Sequence, residues 1–261
     1  MVALERQKYI INYLKEHQVA STKRLGELMN VSLSTVRRDL RDLENQGLLM
    51  KTHGGVKRAD STSSILYHDT KWTSKPDTAL EEKDAIARKA SEFINSNDII
   101  FIGAGMTCNL LCKYITESHK SNITVVTTNI TAVMELASNP QVSVLLLGGN
   151  IHTETNHIET IGEYTSDALA KLYFDKVFFT VDGVDLHYGY SIINRAQLPL
   201  YGYLFQNTRQ AFLLANTGKF DRRTFTYLCN LDEVDTVIVN SDVPQAYLEY
   251  YQEKGIEVYM V

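Results

Sequence analysis

Val31-Ser32-Leu33-Ser34-Thr35-Val36-Arg37-Arg38-Asp39-Leu40 (residues 31–40) reads as the entry into an amphipathic helix. Ser32 is placed to cap it, because a serine oxygen can accept the backbone N–H groups that a helix start leaves free. Val36, Leu40 and Leu43 recur at helical spacing as one apolar stripe, and Gly47 is a stop. With that stripe turned inward, Ser34, Thr35, Arg37, Arg38 and Arg41 are left on the exposed faces. Two helices are expected before it. One runs from Leu4 to Glu16, with Tyr9, Ile10, Tyr13 and Leu14 in register. The other is capped by Ser21 or Thr22 and passes Leu25, Leu28 and Met29 to end near Asn30. Leu48 to Thr52 then has a strand pattern, and His53-Gly54-Gly55-Val56-Lys57 is a tight-turn signal for a small hairpin.

Helix, turn, helix and hairpin in this order make an all-α-type winged helix-turn-helix over residues 1–58, with the third helix as the reading element. Arginine can grip guanine through two parallel hydrogen bonds, each good pair contributing about 1–3 kcal/mol of discrimination. The DNA-contact set expected from the pattern is Ser32, Ser34, Thr35, Arg37, Arg38 and Arg41 on the helix, with Lys51, His53 and Lys57 on the hairpin. Charge agrees. Residues 1–58 hold eleven Lys/Arg against six Asp/Glu, while the remaining fifteen Lys/Arg of the chain face twenty-five Asp/Glu. A basic front on an acidic body suits a module that binds phosphates.

The quoted string, with Leu43-Glu44, Gly47-Leu48 and Thr52-His53-Gly54-Gly55 after it, closely resembles the DNA-binding domain of the DeoR family of bacterial repressors. In that family Thr-(Val/Ile)-Arg-Arg-Asp-Leu and a following His-Gly-Gly recur. The resemblance covers residues 4–57 and implies binding to double-stranded operator DNA. One such domain covers one half-site, so a homo-oligomer, dimer or tetramer, is the expected assembly.

Residues 59–80 carry Ser61, Thr62, Ser63, Ser64, Lys75 and Pro76 with little periodicity and read as a linker. From 81 to 261, apolar β-branched runs alternate with helical stretches. The strands are Ile99 to Ile102, Ile123 to Val126, Val142 to Leu147, Val177 to Phe179, Ala211 to Leu214, Val237 to Val239 and Ile256 to Met260. Helices are expected over Met106 to Glu117, Ala132 to Ser138 and Gln245 to Lys254. Continuous apolar strands imply an α/β domain whose largely parallel sheet is covered on both faces.

Several loops at strand ends are suited to an anion. Gly103-Ala104-Gly105-Met106-Thr107 joins a strand to a helix start, where backbone N–H groups and the helix dipole favour phosphate. Asn129, Gly148-Gly149 and Asp182-Gly183 each follow a strand, and Lys219 in Gly218-Lys219-Phe220 can supply a cation. The expected effector contacts are thus Gly103, Gly105, Met106, Thr107, Asn129, Gly148, Gly149, Asp182, Gly183 and Lys219.

This segment is similar to the sugar-phosphate-sensing domain of the DeoR family, itself similar in fold to ribose-5-phosphate isomerase. The resemblance implies a phosphorylated sugar as effector and repression of a sugar-utilisation operon, relieved by that effector. Here Gly103 stands where the family carries an acid, Met106 where it carries Thr, and Asn216 where Asp is frequent. Gln197 and Tyr201 stand where an acid and a Lys are usual. The lost carboxylates make the pocket less negative and favour a more anionic effector, such as a bisphosphate or a phospho-acid.

Two other functions fit parts of the sequence. A sugar-phosphate isomerase fused to a DNA-binding domain would need a base, Asp182 or Asp185, working with Lys219. The isomerases follow their acid with Lys-Gly-Gly, whereas Leu186-His187-Tyr188-Gly189 stands here, so the chain is expected not to be an enzyme. A constitutive DNA-binding protein without effector leaves the strand-end glycines unexplained.

Cys108, Cys112 and Cys229 form no Cys-x-x-Cys pair and read as core residues, and His152 and His157 read as parts of a polar surface loop. No metal site and no cofactor are expected. With no apolar run of about eighteen residues and no signal-peptide pattern at Met1 to Arg6, the protein is expected in the cytoplasm, away from membranes.

Overall fold

The structure, a computed structural model, describes residues 3–17, 19–45, 49–52, 55–58, 79–153 and 157–261. The chain divides into two units, residues 1–73 and 74–261. The first contains α1 (Ala3–His17), β1 (Val19–Ser21), α2 (Thr22–Met29), α3 (Leu33–Asn45), β2 (Leu49–Thr52) and β3 (Gly55–Arg58). Ser21 Oγ accepts the Arg24 N–H at 3.1 Å and opens α2, which ends where Asn30 turns left-handed at φ 51°. Ser32 Oγ accepts the Thr35 N–H at 3.2 Å and opens α3, as its position in the sequence suggested. Val36, Leu40 and Leu43 are buried against Ile10, Leu14, Leu25, Met29, Leu49 and Val56.

Two features of this unit were not anticipated. Arg6 of α1 donates from Nε and Nη2 to the two carboxylate oxygens of Asp39, at 2.6 and 3.0 Å, and Asp39 is 2% exposed. This fork ties the first helix to the third. Residues 19–21 also form a strand, giving a sheet of order β1-β3-β2. Three residues are too few to show alternation. Gly55 makes the pairing possible, since a Cβ there would overlap the Ala20 carbonyl. The Gly47 stop and the His53-Gly54 turn lie outside the described residues.

The second unit begins with α4 (Leu80–Glu92), so Leu80, expected to end the linker, already belongs to a helix. No side chain caps that helix, and so no start signal marked it. The rest of the linker reading, residues 59–78, lies outside the described residues. There follow β4 (Ile99–Ile102), α5 (Met106–Glu117), β5 (Ile123–Thr127), α6 (Ile130–Leu136), β6 (Val142–Leu146), β7 (Asn150–Thr153) and β8 (Ile158–Ile161). Next come α7 (Glu163–Leu169), β9 (Phe174–Phe179), β10 (Gly183–Asp185), β11 (Gly189–Ile192), α8 (Leu198–Gln206) and β12 (Thr208–Leu214). The chain closes with β13 (Thr226–Cys229), β14 (Thr236–Val239), α9 (Gln245–Lys254) and β15 (Glu257–Met260).

Seven strands form a wholly parallel sheet of order β15-β14-β12-β9-β4-β5-β6. Successive residues of a strand point to opposite faces. Ile100, Ile102, Phe178, Phe212 and Ile238 therefore pack under α4, α5 and α6. Phe101, Val177, Phe179, Leu213 and Val237 pack under α7, α8 and α9. Both faces are covered, which is why these strands read as unbroken apolar runs. Cys108 and Cys112 are fully buried in the first layer and Cys229 in the second.

One stretch departs from its expectation. Residues around His152 and His157 form the antiparallel hairpin β7–β8, with His152 opposite Glu159 and Ile151 opposite Thr160. His157 is only 12% exposed at its side chain, so it is not a surface residue, while residues 154–156 of the expected loop lie outside the described residues. In β8 the buried residues are the polar Glu159 and Thr160, so no apolar alternation marked this strand. Among the described residues no helix is long and apolar enough to cross a membrane.

Replacing Gly55 by Ala is expected to cost roughly 1–3 kcal/mol, because strand backbone must move to admit the methyl group. Urea denaturation of the first unit's transition checks this. A second expectation concerns Glu135 of α6, whose Oε2 is buried without a hydrogen-bond partner. Burial, then the nearby Glu117 carboxylate, raises its pKa. The folded state thus takes up the proton at a pH where the unfolded chain has lost it. Protonation stabilises the fold as pH falls through the raised value, and the gain is lost as pH rises again. Glu135→Gln should raise the melting temperature at neutral pH and flatten its dependence on pH above the ordinary glutamate range.

Candidate functional site

On α3 the burial of Val36, Leu40 and Leu43 forces Arg37, Arg38 and Arg41 outward, and all three are exposed together with Ser32 and Ser34. Thr35 is half-buried. Ser32, expected as a DNA contact, caps the helix, with Ser34 Oγ at 2.8 Å and Thr35 Oγ1 at 2.9 Å from its own Oγ. Sequence reading overlooked Leu33, which is 46% exposed at the start of the same helix. Backbone pairing places Lys51 on β2 and Lys57 on β3. Their side chains, and His53, lie outside the described residues.

In the second unit the chain leaves β4 outward through β5 and β6, then returns to place β9 on the other side of β4. Loops after β4 and β9 therefore diverge, and the crevice between them is where open parallel sheets gather ligands. A cavity of about 230 Å³ lies there. Gly105, Met106 and Thr107 from the start of α5 line it, as do Asp182 and Lys219, so five of the ten expected contacts are brought together. Gly105 has φ 117°, a conformation that favours glycine, and no side chain caps α5. The first turn of that helix thus presents backbone N–H groups and positive potential to the cavity. Lys219 Nζ lies 3.5 Å from Asp182 Oδ1, while Asp182 Oδ2 accepts the Ile193 N–H at 2.9 Å.

The other five expected contacts do not line the cavity. Asn129 is fully buried, and its side chain caps α6 through Ala132 N while donating to Asn109 Oδ1 at 2.7 Å and to the Gly103 carbonyl. Gly103 continues the sheet by donating to the Phe178 carbonyl. The Gly148 carbonyl accepts from Thr165 Oγ1 at 2.8 Å. A Cβ on Gly149 would overlap Thr165 and the Ile161 carbonyl, and one on Gly183 would overlap the Arg222 carbonyl, so both glycines serve packing.

Other residues complete the wall. Lys83 of α4, His157, Thr180, Gln197, Tyr201 and Asn216 all reach it. Asn216 donates to Glu82 of α4 at 3.0 Å, a contact spanning 134 positions that no local pattern could reveal. Gln197 Nε2 donates to Glu159 Oε1 at 2.7 Å, and Glu159 is 2% exposed. Burial, then Glu159, pushes the Tyr201 phenol well above its ordinary pKa, so it stays a hydrogen-bond donor. Burial likewise pushes the Cys108 thiol up to about 12, which leaves it protonated at neutral pH. Among the described residues no cluster of three His, Cys, Asp or Glu is placed to hold a metal.

A winged helix-turn-helix unit joined in one chain to an α/β unit with an anion-suited cavity defines a two-part regulator. The chain belongs to the DeoR family. Residues 6–62 match the DeoR-like helix-turn-helix domain, and residues 78–241 match the DeoR C terminal sensor domain. It is 31% identical to the lactose phosphotransferase system repressor of Streptococcus mutans, over 90% of this chain and 91% of that protein. It is 27% identical to the glycerol-3-phosphate regulon repressor of Escherichia coli, over 99% of each. Among solved structures, ribose 5-phosphate isomerase A from Neisseria gonorrhoeae overlaps 56% of each chain at TM-score 0.40 and 21% identity.

Gly105→Ala tests the cavity. A Cβ there would lie 3.0 Å from Thr180 Oγ1 in a backbone conformation that side chains rarely adopt. The variant should lose roughly 1–3 kcal/mol of stability, and inorganic phosphate should no longer raise its melting temperature.

Proposed function

We propose that this protein is a sequence-specific DNA-binding repressor of a sugar-utilisation operon, released from its operator by a phosphorylated sugar. The observation that carries the DNA half is the outward set of Arg37, Arg38 and Arg41 opposite a buried apolar stripe. Ser34, Thr35 and Leu33 lie beside them to meet phosphates and base edges, Leu33 offering an apolar surface to a thymine methyl group. On the hairpin, Lys51, His53 and Lys57 complete the proposed contact set. Membership of a family whose relatives include repressors of the glycerol-3-phosphate regulon and of a lactose phosphotransferase system supports control of sugar metabolism.

For the effector, the proposed contacts are Gly105, Met106, Thr107, Asp182 and Lys219, joined by Lys83, Gln197 and Tyr201. Catalysis is not part of the proposal. Asp182 is committed to Lys219 and the Ile193 amide. Asp185 is turned away to Arg223 at 2.6 Å and to the amides of His187 and Tyr188. Neither carboxylate stands ready as a base. Two copies on a repeated operator form the working species, and the small antiparallel sheet β10-β11-β13 offers Tyr188, Phe225 and Tyr227, all exposed, as a surface for a second copy to cover. The site of action is the cytoplasm.

An effector releases DNA only if it binds the DNA-free and DNA-bound arrangements unequally. Coupling of about 1–3 kcal/mol changes operator affinity roughly 5- to 150-fold. Fluorescence-anisotropy titration of the upstream region of the protein's own gene, with and without a panel of sugar phosphates, measures both halves. Arg37→Ala or Arg38→Ala should weaken operator binding by about 1–3 kcal/mol and reduce the salt slope by about 1, with the fold and effector affinity unchanged. Undiminished affinity in both variants would refute the assignment of α3 as the reading helix.

A further inference from the structure

In the seven-stranded sheet β15 and β6 are the end strands. An edge strand offers unpaired backbone groups to other chains, and charged side chains are a usual guard against such pairing. β15 is guarded in this way, with Glu257 exposed on it and Glu253 and Lys254 exposed just before. β6 is not. Residues 136–153 contain no Asp, Glu, Lys or Arg, although the chain after residue 58 is acidic, with fifteen Lys/Arg against twenty-five Asp/Glu. Leu145 is 46% exposed and Leu146 37%, and Met134 of α6, which packs against β6, is exposed as well.

The backbone of β6 has a defined open side. The Gln141 carbonyl accepts from the Ile123 N–H, and the Leu147 N–H donates to the Thr127 carbonyl, so the odd-numbered residues bond to β5. The alternate residues turn N–H and C=O the other way, which here means Val144 and Leu146. Val142 has the same parity, but its N–H already donates to the Asn139 carbonyl at 3.1 Å. Among the described residues no strand pairs with this side. Water can satisfy the backbone groups, but contact with water is unfavourable for the two leucine side chains.

We infer that β6 is a contact between two copies of this chain, its open side pairing antiparallel with the partner's β6 about a two-fold axis at Leu145. In that register Val144 stands opposite the partner's Leu146, and Leu146 opposite the partner's Val144, each pair exchanging both of its N–H···O bonds. Leu145 meets the partner's Leu145 in the close, non-hydrogen-bonded position, roughly 4.5 Å between Cα atoms. Charge favours a second copy as the occupant. Two acidic bodies repel, and an uncharged edge is where they approach with least repulsion. A two-fold axis makes one apolar strip its own complement, so no second surface has to match it. A basic partner would be drawn to the acidic remainder instead. The contact shares no residue with the face of Tyr188, Phe225 and Tyr227, and it is independent of the DNA and effector readings. With both faces in use the assembly closes as a tetramer, and with this one alone as a dimer.

Oxidative cross-linking of the full chain tests the contact. Cys108, Cys112 and Cys229 are all buried, so the new thiol of Leu145→Cys is the one an oxidant reaches. Leu145→Cys should form an interchain disulfide with copper phenanthroline, because the separation across the axis falls within the Cα range of disulfides, about 4.4–6.8 Å. Tyr164→Cys, at an exposed position on α7, is the control and should cross-link far less. Leu145→Lys sets two ammonium groups face to face. It should bring the mass from light scattering down to roughly half of the wild-type value, with an unchanged circular dichroism spectrum. Where Leu145→Lys does not fold, the cross-link decides. A wild-type chain that is monomeric at micromolar concentration, a Leu145→Cys yield no higher than that of Tyr164→Cys, or an undiminished mass in folded Leu145→Lys overturns the inference.

Discussion

Everything in the second unit follows from one reversal in strand order. The chain builds outward from β4 in one direction, then begins again beside β4 with β9 and builds outward in the other. Parallel strands require each connection to cross back over a face of the sheet, so loops at the C-terminal ends are free of the short turns that would close them. At the reversal, two such loops part company. Gly105 and Thr180 then face each other across the gap, with Thr180 Oγ1 donating to the Ala104 carbonyl at 3.1 Å. A sheet laid down in simple sequential order would have filled this space with a crossover helix.

In the first unit the comparable constraint is the fork between Arg6 and Asp39. Asp39 sits among apolar neighbours at 2% exposure, and a lone carboxylate there would be costly. Two hydrogen bonds from one guanidinium satisfy both oxygens. Three consecutive charged residues on α3 thus have two different roles. Arg37 and Arg38 face out, while Asp39 faces in and locks the rotation of the helix against α1. Because Val36 and Leu40 flank Asp39 on the buried side, the arginines have no alternative orientation.

Much of the architecture was legible because it rests on local pattern. The bounds of α5 and α9 and of β4 match the runs read from sequence, since unbroken apolar stretches ended by Gly or polar residues leave little freedom. Short strands without an unbroken apolar run escaped, among them β1, β7 and β10, because so few mixed residues show no pattern apart from their partner. The cavity was half legible. Gly105 after β4 and Lys219 after β12 announced themselves by position, but Gly103, Asn129, Gly149 and Gly183 share that position and serve pairing, capping or packing instead. Position after a strand brings a residue to the right edge. Which side chain turns inward there depends on packing with elements distant in sequence.

Lys83 and Glu82 show why such distant contacts matter for signalling. Both lie on α4, the first described element after residues 59–78, and both belong to the cavity's immediate surroundings. Lys83 thus brings a cation to the cavity wall from the helix through which the second unit is covalently continuous with the first. Coupling needs a ligand to favour one placement of some element over another. α4 is held to the sheet face by Ile86, Ala87 and Ala90, by Phe93 against Phe212 and by Ile94 just after it, and to α5 by Tyr114, which donates to Asp84 at 2.7 Å. Under the proposed function, Lys83 is thus the wall residue nearest in sequence to the DNA-reading unit.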